Sequence, residues 1–337
     1  MTDDEPTIAG EIERYLRTGA TDLLCTAWPG TFMERAKRAH GDLRDALVHE
    51  VRRLAEGLTH EPLPEADTAA LTRRKVEPMV RGLFPRAEQD VVLATLENSV
   101  VFLTSANIEP LLLQKSFDTS AWTLANLYLA SLGADLLADD APRLVGLSEE
   151  TTCYVAPEYF TEGDPFADFL VHEVAHIFHN CKRGNVGLRQ TRTKEWLLDI
   201  DFRKRETFAY SCEAYARVLE RAKCPADRRG LAEAYGTEVR ISDERVDPAE
   251  VASIVQGAAT ARNGWKVILS RCAPTSRPQS AVAQVRAASA ATEEPVSSGD
   301  RWRVQRRRNG QPGTGGRGVA VHGPPADFED QDRTDHR

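Results

Sequence analysis

No Cys-x-x-Cys pair occurs in the chain, and its six cysteines, at 25, 153, 181, 212, 224 and 272, keep no regular spacing. A zinc ribbon and a disulfide framework are both excluded as organising devices, and reduced thiols in a cytosol fit this usage. A secretory start is lacking too, because Met1-Thr2-Asp3-Asp4-Glu5-Pro6 is acidic and leads into no apolar run. The expected location is therefore the cytoplasm. The most apolar helical stretch, around Trp122 to Ala138, is broken by Asn126 and Asp135. It falls short of the roughly 20 apolar residues a bilayer span needs, so a buried core helix is expected and no membrane partner. Surplus positive charge is missing as well: the formal net charge is −8. Nucleic acid is accordingly not an expected partner. No internal repeat is present, and the sequence does not specify an oligomeric state.

What the chain does contain is the make-up of a soluble globular protein, with 41% hydrophobic and 28% charged residues. Eighteen Pro and twenty-two Gly imply that part of it is linker or tail. Residues 1–85 are expected to form a helical N-terminal region. Helices are expected from Ile8 to Leu16 and from Phe32 to Leu58, where Leu43, Leu47, Val51 and Leu54 recur three and four apart. Trp28-Pro29-Gly30 and Glu61-Pro62-Leu63-Pro64 punctuate them. Further helices are expected over Leu71–Leu83, Asp90–Leu103, Glu109–Lys115 and Ser120–Leu137, although Val100-Val101-Phe102-Leu103 is itself prone to β structure. Thr151 to Ala156 is rich in β-formers and bounded by Pro157, which predicts a strand. Phe166–His179 and Phe202–Lys223 carry strong helical patterns. The fold class is thus α+β and mainly helical, with a short sheet. After Cys272 the apolar periodicity disappears, and residues 273–337 are expected to be a disordered tail whose Arg301–Arg308 cluster is offset by acidic residues from Asp327 onward.

The chemistry concentrates in Asp168-Phe169-Leu170-Val171-His172-Glu173-Val174-Ala175-His176-Ile177-Phe178-His179, a His-Glu-x-x-His motif inside an apolar helix. Residues four apart share one helical face, so His172 and His176 can converge on one ion. Glu173 is rotated by about 100° from His172, which removes it from the ligand pair and leaves it placed as a base. Two imidazoles and a carboxylate among apolar neighbours are costly to bury without an ion or hydrogen bonds. Catalytic zinc usually takes three protein ligands, so a third must come from elsewhere. The metzincin pattern is excluded, because the chain has His179 and Lys182 where that pattern needs Gly and His.

Downstream, Glu206-Thr207-Phe208-Ala209 and Glu213-Ala214-Tyr215-Ala216 place two carboxylates seven residues apart, on one face of one helix. An HExxH helix followed by a helix bearing Glu-x-x-Ala resembles the gluzincin group of zinc metallopeptidases, in which the later Glu completes a His-His-Glu site. Glu206-Thr207-Phe208-Ala209 resembles the Glu-x-Phe-Ala of lethal-factor-like members. This likeness favours Glu206 as third ligand over Glu213, which fits Glu-x-x-Ala too. It spans about Thr151 to Glu220 and implies a zincin-like catalytic domain over residues 86–272. The implied cofactor is Zn²⁺, with Glu173 as catalytic base and a peptide or protein as substrate. His179 is open to three readings: a ligand, a partner that orients a ligand ring, or a helix-end histidine favoured by the dipole, the last being preferred. Tyr210 and Tyr215 are candidates for stabilising an oxyanion, against the commoner role of core aromatics. Thr152–Ala156 is expected to be a sheet edge that takes substrate backbone by strand addition. Two other readings accompany the peptidase: a zinc-containing regulatory or interaction protein with narrow, single-partner proteolysis or none, and a helical scaffold without metal.

Overall fold

A computed structural model describes residues 6–64, 67–238, 241 and 243–274. The tail expected from residue 273 lies, beyond 274, outside the described residues. Among those described, the chain is mainly helical: eleven α-helices surround one three-stranded sheet. No described helix is long and apolar enough to cross a membrane.

The N-terminal pattern yields α1 (Ile8–Thr18), α2 (Phe32–Leu54) and α3 (Thr68–Leu83). Helix α1 stops at Gly19, whose φ of 69° is the left-handed conformation that glycine adopts without a Cβ penalty. Helix α2 begins with a capping box in which the Thr31 backbone N–H donates to Glu34 Oε2. The helix expected over Asp90–Leu103 divides into α4 (Arg86–Leu96) and strand β1 (Val100–Phe102). Cross-strand pairing of the Val-Val-Phe run outweighs its helical spacing. Helices α5 (Ile108–Gln114) and α6 (Asp118–Ser131) follow. Helix α6 ends before the expected Leu137, at a turn through Gly133 with φ 70°.

Strands β2 (Gly146–Glu149) and β3 (Thr152–Val155) form an antiparallel hairpin, and β1 pairs parallel to β3, giving the order β1-β3-β2. The expected strand is therefore the central one. Both its flanks are hydrogen-bonded, so it is no edge for strand addition, which corrects the expectation drawn from sequence.

Alternation along the strands splits the core between the two faces of the sheet. Val100, Phe102, Cys153 and Val155 pack into a cluster with α3, α4 and the helices that carry the site, α7 (Phe169–Asn180) and α8 (Arg205–Arg221). Leu147, Tyr154 and Ala156 belong to a second cluster, with α1, α2, α5 and α6. These clusters do not divide at residue 85: α3 packs with α7 and α8, whereas α5 and α6 pack with α1 and α2. A third cluster joins α8 to α9 (Pro225–Tyr235) and α10 (Pro248–Thr260), and α11 (Gly264–Cys272) closes the fold against α8 and α10.

Candidate metal centre

Helix α7 is buried all round, from Phe169 to His179, as befits a helix between a sheet and other helices. Its N-terminus is capped by the Asp168 carboxylate, which accepts from the Val171 N–H at 3.2 Å and from Lys75 Nζ at 2.9 Å. Helix α8 lies against it and buries Glu206 through Tyr215. The two helices bring His172, His176 and Glu206 together as one buried group that can hold a metal ion.

The other nitrogen of each imidazole is already engaged. His172 Nδ1 lies 3.0 Å from Glu213 Oε2, while Glu213 Oε1 accepts from the Asp168 N–H at 2.8 Å. Glu213 therefore orients the ring and ties the start of α7 to α8. His176 Nδ1 lies 2.9 Å from His179 Nε2, and His179 Nδ1 lies 3.0 Å from Asn180 Oδ1. An amide oxygen only accepts, so His179 donates to Asn180 through Nδ1 and, as a neutral ring, accepts from His176 through Nε2. Both rings are thereby fixed with Nε2 pointing inward, the arrangement that metal-binding histidines commonly show.

The inward Nε2 atoms of His172 and His176 are 3.2 Å apart, and Glu206 Oε2 is 3.7 Å and 3.5 Å from them. Two imidazole lone pairs and a carboxylate at these distances require a positive charge among them, a proton or a metal cation. Donors placed ~2.1 Å from a tetrahedral Zn²⁺ stand ~3.4 Å from one another, so the observed separations fit that ion. The two rings differ in their electrostatics. Burial opposes charge on His172, but the Glu206 and Glu213 carboxylates outweigh it and raise the imidazole to about 10. Burial dominates at His176, which is lowered to about 4.

Glu173 is directed away from the ligand pair, towards β2. Its Oε2 accepts from Ser148 Oγ at 2.6 Å. A Cβ at Gly146 would come within 2.5 Å of Glu173 Cγ and Oε1, so only glycine leaves room for the carboxylate there. Burial raises Glu173 to about 7, partly countered by His172. A carboxyl with that affinity for protons is suited to taking and returning one near neutral pH.

The remaining candidates separate. His179 is buried and held below its ordinary range by desolvation, and it orients His176. It does stand in the last turn of α7, as the preferred reading of a helix-end histidine has it, but its contact with His176 is that of the partner that orients a ring. The Tyr210 ring stands edge-on to His172, with centroids 4.6 Å apart. Tyr215 packs instead on Trp265 at 4.8 Å and against Gly264, so it belongs to the junction of α8 with α11. The six thiols are free, and none is part of the ligand group.

Three residues at the site carried no signal in the sequence reading. Gly146 and Ser148 stand on a four-residue strand without β-branched residues, and nothing in Gly146-Leu147-Ser148-Glu149 announces it. Arg245 reaches Glu206 Oε1 at 3.2 Å from the segment before α10. The helix after it was not expected either, although Asp247-Pro248, a capping carboxylate before proline at the first helical position, is a signal that could have found it. No family model, no curated protein and no solved structure matches this chain.

Proposed function

We propose that the chain is a zinc-dependent peptidase of the gluzincin kind, with His172, His176 and Glu206 as metal ligands and Glu173 as base. The observation that carries this reading is the set of three inward donors 3.2 to 3.7 Å apart, one of them supplied by the helix whose sequence resembles that of gluzincins. When bound there, Zn²⁺ supplies a Lewis acid that makes water nucleophilic near neutral pH and polarises a carbonyl. Glu173 takes the proton from the attacking water on its carboxylate and passes it to the leaving amine nitrogen. Ser148 and Gly146 hold that carboxylate in one place during both transfers. Glu213 and His179 keep the two imidazoles turned inward. Tyr210, whose ring stands beside His172, is the candidate phenol for an oxyanion.

The burial of the ligand group supports a second reading. His172, His176 and Glu206 are 2%, 0% and 7% exposed, an enclosure that favours a protein with one narrow substrate, or a metal that serves structure alone. The two readings part in an assay on an unfolded protein such as reduced, alkylated casein. A general peptidase cleaves it, loses the activity to a chelator and regains it with added zinc. Zinc-loaded protein that leaves every unfolded substrate intact would instead favour the narrow or structural role.

A further inference from the structure

A glutamate carboxylate offers two equivalent oxygens to a metal and turns freely about its last bond. At Glu206 the two oxygens are not equivalent. Oε1 lies 3.2 Å from Arg245 Nη2, whereas Oε2 faces the Nε2 atoms of His176 and His172. The guanidinium is itself fixed. Asp243 accepts from the Arg245 backbone N–H at 2.8 Å, from Nε at 3.1 Å and from Nη2 at 3.2 Å, and the Asp243 carboxylate is buried. Such a fork on a carboxylate sets orientation as well as charge, because guanidinium is planar and its donors point in fixed directions.

We propose that Arg245, held by Asp243, is a positioning residue for the metal centre: it takes one oxygen of Glu206 and so presents the other to the ion. The inference rests on His172, His176 and Glu206 being the ligands. Asp243 has a second effect. A guanidinium next to a ligand carboxylate would oppose a divalent cation, and the Asp243 charge offsets it, so the pair orients Glu206 without adding net positive charge. Arg245 therefore contributes through geometry. The side chain is 41% exposed and stands outside the packed helices, so its replacement need not disturb the core.

The test uses the full chain, Zn²⁺ titrated against a competing chelator, and the visible absorption of Co²⁺ at the same site. Arg245→Gln is expected to raise the zinc dissociation constant by about tenfold, the lower end of what loss of a ligand's orienting partner costs. It should also alter the Co²⁺ band, while melting of the metal-free protein stays where it is. Arg245→Lys keeps the charge but not the fork and should recover only part of the affinity. Asp243→Asn, which releases the guanidinium but leaves it in the chain, should shift affinity and spectrum in the same direction as Arg245→Gln. Wild-type affinity and an unchanged Co²⁺ spectrum in Arg245→Gln and Asp243→Asn would overturn the role of Arg245 alone. A wild-type protein that binds neither metal would overturn the ligand assignment with it.

Discussion

Glu206→Gln is expected to lose most of its zinc, whereas Glu213→Gln should bind it only about 10- to 100-fold more weakly. The two residues stand two turns apart on α8 and meet the same imidazole from opposite sides. Glu206 Oε2 faces His172 Nε2 at 3.7 Å and Glu213 Oε2 meets its Nδ1 at 3.0 Å. An amide at position 206 removes the only anionic donor from the ligand group. At position 213 it leaves one oxygen able to accept from the ring and turns an NH2 towards the Asp168 N–H that Glu213 Oε1 now accepts from, so it costs charge and one contact at the start of α7 but no donor of the ligand group. Titration of both variants against one chelator, after circular dichroism has shown each to be helical, measures the difference. Zinc lost first from Glu213→Gln, and kept by Glu206→Gln, would reverse the assignment.

Glu173→Gln should retain metal and fold while hydrolysis falls by about 10²-fold or more, the share a positioned general base supplies. The substitution is close to isosteric, which matters because Gly146 leaves no room for a larger group and Ser148 needs an acceptor at Oε2. What it removes is the carboxylate that carries the proton. Turnover by Glu173→Gln equal to that of the native chain, with zinc content matched, would mean that Glu173 is not the base.

Much of the site was legible because its signal is local. The i, i+4 histidines, the Glu between them and the apolar run on either side fix a buried helix with two inward imidazoles, and α7 has that form. The pairing of Glu206 with them needed the likeness to gluzincins, since spacing on α8 leaves Glu213 equally placed. What distinguishes the two carboxylates is which nitrogen of His172 each one meets, and that is decided by tertiary packing. The same limit applies to Gly146, Ser148 and Arg245, each brought to the site by chain that folds from elsewhere. His179 stands in the last turn of α7 as expected, but the rule that a histidine there gains from the dipole applies when it is exposed, and here the turn is covered and the ring turns in to His176. In the fold, the mainly helical content followed from periodicity, and α1, α2 and α5 begin within a residue of where it put them, whereas α9, α10 and α11 were not expected. Val100–Phe102 did not, because a β-prone run at the end of a helical pattern is decided by whether a strand waits to pair with it, and β3 lies more than forty residues on.

A metal held between His172, His176 and Glu206 is what the peptidase reading requires first. Elemental analysis of fresh protein, purified without added metal and without chelator, tests it most directly. About one zinc per chain is the predicted result, and the absence of any stoichiometric transition metal would contradict it.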